Sequence, residues 1–223
     1  METDTAEVAG QGNRPGQVIT SGGGFSTYYP RPSWQAKAVE AHFVSAAAAG
    51  VTIRAGFNSS MRAYPDLSLA GSNYLTVIAG KEYLLSGTSA SAPTLAGYFS
   101  NINAARFEIG KGSVGWINPT LYSKASSFVN DITSGDNRCA ADGTCCPHGF
   151  EATKGWDPVT GLGSVNFGKM QSVFMSLGTA TPGHTRTPTV FSTPTPRPTR
   201  RVTFAPTTLL ANPLAVYQSK CRI

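Results

Sequence analysis

The chain has 223 residues, of which 40% are hydrophobic and 24 are glycine, and its formal net charge is +6. Residues 1–173 contain twelve Lys and Arg and twelve Asp and Glu, whereas the last fifty residues contain six basic residues and no acid. Because the excess charge lies in this tail, it does not indicate a nucleic-acid-binding domain. No apolar run approaches the roughly 20 residues that a transmembrane helix needs, so no membrane span is expected. The polar, acidic N-terminus shows no secretory signal peptide.

Composition divides the chain into three parts. Residues 1–17 are polar and without periodicity, which predicts an irregular lead-in. Residues 18–177 carry the helix-like and strand-like patterns of a folded region. Residues 178–223 form a basic tail rich in Thr and Pro. Such a segment buries too little apolar surface to offset its ordering entropy, so the tail is predicted to be disordered.

The folded region opens with a short strand-like run at residues 17–20, which ends in a glycine-rich break. An aromatic loop follows at residues 25–32, constrained by two prolines. Ser33 is a suitable N-cap for a helix that begins near Trp34. The apolar positions of that helix recur at helical spacing: Ala36, Val39, Phe43 and Val44.

Two strands are predicted at residues 75–79 and 83–85, separated by a turn. A long helix should then begin at Ser89 and end near Phe107. Further helices are predicted from residue 118, with proline in the first turn, and over residues 167–177. The predicted buried side of the long helix consists of Leu95, Tyr98, Phe99 and Ile102.

Three of the four cysteines lie within a span of eight residues, 139–146, in a loop rich in Gly and Asp. In an oxidising compartment, Cys139 is expected to form a disulfide with either Cys145 or Cys146. A zinc site that includes His148 is the competing interpretation. It is disfavoured because the spacing fits no common zinc pattern.

Residues 86–93 read Ser-Gly-Thr-Ser-Ala-Ser-Ala-Pro and lie between a strand-like and a helix-like stretch. A serine hydroxyl is a poor nucleophile unless a base removes its proton and donors stabilise the oxyanion. Ser89 at a helix start, among small neighbours, has access to free N–H groups and the positive end of the helix dipole. A Gly-Thr-Ser sequence alone would indicate only a helix cap; eight residues in this order favour a nucleophile.

This segment resembles the nucleophile segment of the subtilisin superfamily, and further blocks resemble the sedolisin branch, which includes the tripeptidyl peptidases. The similarity covers about residues 18–171 in the family's order. The other matching blocks are residues 21–26 (Ser-Gly-Gly-Gly-Phe-Ser), 29–32 (Tyr-Pro-Arg-Pro), 62–66 (Arg-Ala-Tyr-Pro-Asp), 115–119 (Gly-Trp-Ile-Asn-Pro) and 155–161 (Gly-Trp-Asp-Pro-Val-Thr-Gly).

The resemblance implies a serine-carboxyl peptidase that hydrolyses bonds in peptide or protein substrates through Ser89. It implies an α/β subtilisin-like layered fold, with a mostly parallel sheet flanked by helices, of which only the C-terminal portion is encoded here. By family, the protein would be secreted or lysosomal/vacuolar.

One calcium ion is also implied by the resemblance. Asp131 and Asp157 stand where the family places two carboxylate ligands, and Ile132, Thr153 and Gly155 would contribute main-chain carbonyls. Family members often have glycine at the position of Thr153, but a carbonyl ligand does not depend on its side chain. The alternative is a turn aspartate and a helix-capping aspartate.

The family's catalytic base is a glutamate oriented by an aspartate four residues later, and a separate aspartate donates to the oxyanion. Before Ser21 the chain has only Glu2, Asp4 and Glu7, and none of its acids is followed by another four residues on. Asp66 belongs to a different block and is interpreted as structural. His42 is interpreted as an ordinary helix residue.

We therefore expect a truncated peptidase whose partner would be the missing N-terminal portion of the domain. A non-catalytic, calcium-stabilised remnant that binds peptides or partners is the first alternative. A subtilisin-type peptidase is the second, disfavoured because no His motif of that family precedes Ser89.

Overall fold

A computed structural model describes residues 7–13, 17–53, 55–140 and 142–178. The predicted disordered tail therefore lies, apart from its first residue, outside the described residues. None of the helices in the described ranges is both long enough and apolar enough to cross a membrane.

The described chain contains four helices, one short 3-10 turn and six short strands. The helices are α1 (Ser33–Ala48), α2 (Thr88–Glu108), α3 (Asn118–Lys124) and α4 (Phe167–Ser176), and a 3-10 turn covers Ala125–Ser127. The strands are β1 (Gly24–Pro30), β2 (Met61–Tyr64), β3 (Tyr74–Ile78), β4 (Lys81–Leu85), β5 (Val129–Asn130) and β6 (Ser164–Val165).

The strands pair two by two, β1 with β2, β3 with β4 and β5 with β6, and every pair is antiparallel. The expected mostly parallel sheet is thus not found within the described ranges, where an isolated bridge between Ser68 and Ser164 is parallel. Parallel pairing requires a connection that returns the chain to its starting end. The two-residue turn between β3 and β4 cannot do this, and β2 returns along β1 in the opposite direction after α1.

The start of the folded region differs from the prediction. Residues 17–20 form no strand, and the predicted aromatic loop is largely strand β1. Phe25 of β1 lies opposite Ala63 of β2, and both side chains are buried. The sequence of β1 does not alternate between apolar and polar residues, so its strand conformation depends on a partner about 40 residues away.

The lead-in is irregular over residues 7–13, as predicted, but it contacts the rest of the chain. The Ala9 amide donates to the Ser134 carbonyl at 2.9 Å, and Gln11 Nε2 donates to Asp136 Oδ1 at 2.6 Å. Ala9 is buried in the core. Irregular backbone at this position is therefore held by tertiary contacts.

The predicted helices and the hairpin are confirmed to within one or two residues. Ser33, however, is the first residue of α1 rather than its N-cap, which is Pro32. In α2, Phe99 and Ile102 are buried, while Leu95 and Tyr98 pack half-buried against the same cluster. This confirms the predicted buried side of the helix.

Two hydrophobic clusters form the core, and Tyr122 and Leu162 pack against both of them. Fully burying one large apolar side chain contributes about 1.5–3 kcal/mol, so each cluster supplies a substantial share of the stability. The first cluster, below α1, β1 and β2, contains Ala9, Phe25, Val39, Ala63, Phe150, Ala152, Trp156 and Val159. The second, between α2, α3 and α4, contains Phe99, Ile102, Leu121, Phe128, Met170 and Phe174.

A network of polar side chains around Asp66 joins these elements. Its carboxylate accepts two hydrogen bonds from Arg62, at 2.7 and 2.8 Å, one from Asn118 and one from the Tyr122 hydroxyl. Gln35 of α1 donates to Tyr122 and to the Ala63 carbonyl, both at 2.7 Å. These contacts agree with the structural role predicted for Asp66.

Cys139 and Cys145 form a disulfide, which selects between the two pairings left open for Cys139. The zinc alternative finds no support, because the described part of the chain contains no group of three or more His, Cys, Asp and Glu side chains placed to hold a metal ion.

The turn between β3 and β4 provides a test of the hairpin. Ala79 and Gly80 both have positive φ, 50° and 77°, as a type I′ turn requires. Asparagine tolerates this conformation better than alanine, so Ala79→Asn should stabilise the hairpin by about 0.5–1 kcal/mol. Slower amide hydrogen exchange at residues 74–85 is the expected result. Ala79→Val should accelerate exchange there, and equal rates in all three proteins would contradict the assigned turn.

Candidate active site

Ser89 is the second residue of α2, and its side chain is exposed to solvent. The helix begins after Gly87, whose φ of 156° is rarely adopted by residues with a side chain. The predicted position of Ser89 at the start of a long helix is confirmed. The role of Ser89 as nucleophile remains a prediction.

The backbone before Ser89 is anchored to the preceding segment. The Gly87 amide donates to the Gly71 carbonyl at 2.7 Å, and the Ser91 hydroxyl donates to the Ala70 carbonyl at 2.8 Å. The first N–H groups of a helix have no partner within the helix, and the dipole makes this end positive. The amides of the first helical turn are therefore candidate donors for a developing oxyanion, apart from that of Ala90, which donates to the Gly87 carbonyl at 2.9 Å.

No carboxylate of the described residues accepts a hydrogen bond from Ser89. Among the described acids, Asp66 bonds to Arg62, and Glu40 pairs with Arg31 at 3.3 Å. A nucleophilic serine requires a base, and the described residues give Ser89 no hydrogen-bonded carboxylate.

The hairpin that leads into Ser89 exposes apolar side chains. Leu75, Val77 and Leu84 lie on one face and are 65–66% exposed. The opposite face includes Tyr83 and Leu85, which are also exposed. Strands that are apolar on both sides are usually covered on both sides, and exposed apolar patches usually mark interaction surfaces.

The second predicted site lies in the loop of residues 153–160. Asp157 is fully buried, and its Oδ1 accepts hydrogen bonds from the amides of Val159 and Thr160 at 2.9 and 2.8 Å. Its Oδ2 accepts from the Thr153 amide at 3.1 Å. Burial raises the pKa of Asp157 to about 6.

Asp131 reaches the same loop from the other side, because its Oδ2 accepts a hydrogen bond from the Gly155 amide at 2.8 Å. The Ile132 carbonyl faces the Thr160 hydroxyl at 3.4 Å, and this hydroxyl also contacts Asp157. The structure thus brings all five predicted calcium-site residues into one neighbourhood. Calcium binding at these residues remains a proposal.

His42 is more than the ordinary helix residue expected from the sequence. Its ring is buried beneath the loop, with Nδ1 3.1 Å from the Thr153 hydroxyl and the ring plane edge-on to Trp156. Burial lowers the pKa of His42 to about 4. The one sequence signal was its place at helical spacing from Gln35 and Val39, which are also buried.

A serine exposed at the start of a helix, beside free backbone N–H groups in an α/β chain, is the arrangement found in serine hydrolases. The relatives of the chain are peptidases of this class. Physarolisin of Physarum polycephalum is 42% identical over 168 residues, covering 73% of this chain and 28% of that protein. A tripeptidyl-peptidase of Aspergillus fumigatus is 40% identical over 168 residues, covering 70% of this chain and 25% of the relative.

Among solved structures, Pseudomonas sedolisin, a serine-carboxyl proteinase in complex with pseudo-iodotyrostatin, is similar with a TM-score of 0.57 and 27% identity. The similarity covers 78% of this chain and 42% of the sedolisin chain. No family model matches. The chain belongs to the sedolisin family, and it spans about a quarter of the length of the curated relatives that it matches.

Asp157 and His42 predict a specific pH dependence of stability in the presence of a chelator. The folded-state pKa of Asp157 is raised, so its contribution is complete below about pH 4 and is lost as pH rises through about 6. The folded-state pKa of His42 is lowered, so its contribution is complete above about pH 6.5 and is lost as pH falls through about 4. The two contributions change in opposite directions, so the free energy of unfolding should change little between about pH 4 and pH 6.5.

Asp157→Asn removes the contribution of residue 157 to this pH dependence and leaves that of His42. This variant should lose on the order of 2–3 kcal/mol of unfolding free energy as pH falls from about 6.5 to 4, as measured by urea denaturation. Glu82→Gln, on the exposed hairpin, is the control and should follow the unchanged protein. A profile for Asp157→Asn that is as flat as the control would contradict the assigned pair.

Proposed function

We propose that the chain is the nucleophile-bearing part of a serine-carboxyl peptidase that hydrolyses peptide bonds in peptide or protein substrates. The observation that carries this proposal is the exposed Ser89 hydroxyl at the N-terminus of α2. Ser89 Oγ would attack the carbonyl carbon of the scissile bond, and the resulting oxyanion would accept hydrogen bonds from N–H groups of the first helical turn. By family, the reaction would belong to an acidic secreted or lysosomal/vacuolar compartment.

The base, in this proposal, comes from a segment outside the described residues, either in the same polypeptide or in a separate chain. The hairpin supports this view, because its exposed apolar faces adjoin Ser89. A segment that covers Leu84 would lie within a few residues of the nucleophile. The proposed occupant of this surface is therefore the base-bearing N-terminal portion of a sedolisin-type catalytic domain.

We also propose that the loop of residues 153–160 binds one calcium ion through the carboxylates of Asp131 and Asp157, with carbonyls of Ile132, Thr153 and Gly155. The donor set fits, because calcium prefers six to eight oxygen ligands and these residues offer carboxylate and carbonyl oxygens. Complete burial of Asp157 supports the proposal, since an ionised carboxylate in such a place needs a compensating charge. When bound, the cation would supply that charge and hold the loop together.

The calcium proposal predicts a change in thermal stability. At neutral pH, calcium at one hundred times its dissociation constant should stabilise the chain by about 2.7 kcal/mol and raise its melting temperature. Asp157→Asn should abolish this increase, whereas Asp142→Asn, at an exposed aspartate of a neighbouring loop, should retain it. An unchanged melting temperature in calcium for the unaltered chain would refute the site.

The peptidase proposal predicts that the 223-residue chain alone does not turn over peptides efficiently between pH 3 and 7. Loss of members of a catalytic unit costs about 10⁴–10⁶ in rate, and loss of one oxyanion donor about 10²–10³. Fluorogenic tripeptidyl and longer substrates provide the assay, with Ser89→Ala as the reference. Turnover that Ser89→Ala abolishes would show that this chain supplies its own base.

The sequence upstream of this reading frame would distinguish the peptidase from the second candidate, a non-catalytic remnant. The lack of a carboxylate partner for Ser89 is the observation that favours the remnant. If an upstream in-frame segment encodes Glu-x-x-x-Asp, the extended protein should cleave peptides at acid pH, and Ser89→Ala should abolish cleavage. Leu84→Lys should reduce peptide cleavage by the extended protein more than Val44→Lys does. Both side chains are similarly exposed, but only Leu84 lies on the hairpin that the base-bearing segment is proposed to cover. A stop codon directly upstream would favour the remnant.

A further inference from the structure

Thr153 carries a side chain at a position where the family often has glycine. Its hydroxyl is buried, and residue 153 is only 4% exposed. A buried hydroxyl without a hydrogen-bond partner is costly, so such groups are almost always satisfied. The partner here is Nδ1 of His42 at 3.1 Å, which is 111 residues earlier in the chain.

His42 is held in turn by few polar contacts. It lies on the buried face of α1 and is 2% exposed, and its Nε2 has no hydrogen-bond partner. Edge-on packing against Trp156, with ring centroids 5.7 Å apart, fixes the plane of the imidazole. The Thr153 hydroxyl is therefore the polar group toward which the ring is turned.

The backbone of Thr153 connects this contact to the proposed calcium ligands. Its amide donates to Asp157 Oδ2 at 3.1 Å, and its carbonyl is one of the proposed ligands. Residue 153 is thus held through its side chain by α1 and through its amide by Asp157. A residue restrained at both points has little freedom to turn its carbonyl away from a common centre.

We propose that His42 is a positioning residue for the calcium loop and that its hydrogen bond to Thr153 sets the orientation of the Thr153 carbonyl. This inference rests on the calcium site of the proposed function. Groups that orient metal ligands in this way typically contribute about 10–100-fold to metal affinity. Helix α1 thereby becomes part of the calcium site without supplying a ligand.

Thr153→Val provides the first test, because it removes the hydroxyl at nearly constant volume. At pH 7.5, where Asp157 is ionised, calcium affinity of the full chain measured by competition with a chromophoric chelator should fall about 10-fold or more. Thr153→Ser keeps the hydroxyl and should stay within a few-fold of the original affinity. Equal affinities for the Val and Ser variants would overturn the proposal.

His42→Phe and the double variant His42→Phe/Thr153→Val complete the cycle. If the two residues act through one hydrogen bond, the double variant should lose no more calcium affinity than the single variant with the larger loss. If they act independently, the fold-losses of the two single variants should multiply. His148→Phe, at an exposed histidine, is the control and should bind normally. Multiplicative losses in the double variant would refute a shared role.

Unfolding in a chelator distinguishes positioning from general stability. Variants that weaken calcium binding only through a destabilised fold should lose affinity in proportion to the fraction unfolded without calcium. Lower affinity in variants that remain fully folded is the expected result. If the unaltered chain binds no calcium, the proposed calcium site itself fails; if it binds and all variants bind equally, only the role of His42 fails.

Discussion

The carboxylate of Asp66 is the constraint on which the described structure depends most. It is half-buried and accepts charged hydrogen bonds from Arg62 together with bonds from Asn118 and Tyr122. Burial, reinforced by the charge of Asp66, raises the pKa of Tyr122 well above its ordinary value, so its hydroxyl stays a donor. One side chain thereby joins β2 to α3, and Gln35 extends the connection to α1. Hydrogen bonds to charged groups contribute more than neutral ones, typically about 1.5–3 kcal/mol.

The same segment supports the loop of residues 153–160. Trp156 donates from Nε1 to the Pro65 carbonyl at 2.9 Å, and the Leu162 amide donates to the Asp66 carbonyl at 2.9 Å. A side chain at Gly161 would come within 2.5 Å of the Asp66 backbone, so glycine is required there. The loop that holds Asp157 is therefore fixed at both ends by residues 65 and 66. The residues of the proposed calcium site are thereby held in place by the fold itself.

The region around Ser89 has the opposite character. The first turns of α2 and the β3–β4 hairpin are largely exposed, whereas the second half of α2 buries Phe99, Ile102 and Arg106. A two-stranded hairpin without cover is marginally stable in water. The loop of residues 153–160 is thus well packed, whereas the surface around Ser89 is open, which supports a further segment as the source of the proposed base.

Local patterns determined much of the secondary structure. Helices α1, α2 and α4 and the hairpin follow from helical spacing, from apolar runs and from turn residues within a few positions, so they were predictable. Strand β1 was not, because it depends on pairing with β2 and on the burial of Phe25 against distant aromatic rings such as Phe150 and Trp156. The family resemblance led us to expect a mostly parallel sheet, whereas the described strand pairs are antiparallel.

The sequence by itself determined the order of motifs and the position of Ser89 at a helix start, because each depends on neighbours in the chain, whereas the proposed calcium residues were implied by the family resemblance. Tertiary structure decided which distant side chains meet. The contacts of Asp66 with Tyr122 and of His42 with Thr153 span 56 and 111 residues. A hydrogen bond over such a separation leaves no periodic trace in the sequence, since its partners are brought together only by the packing of the elements that carry them.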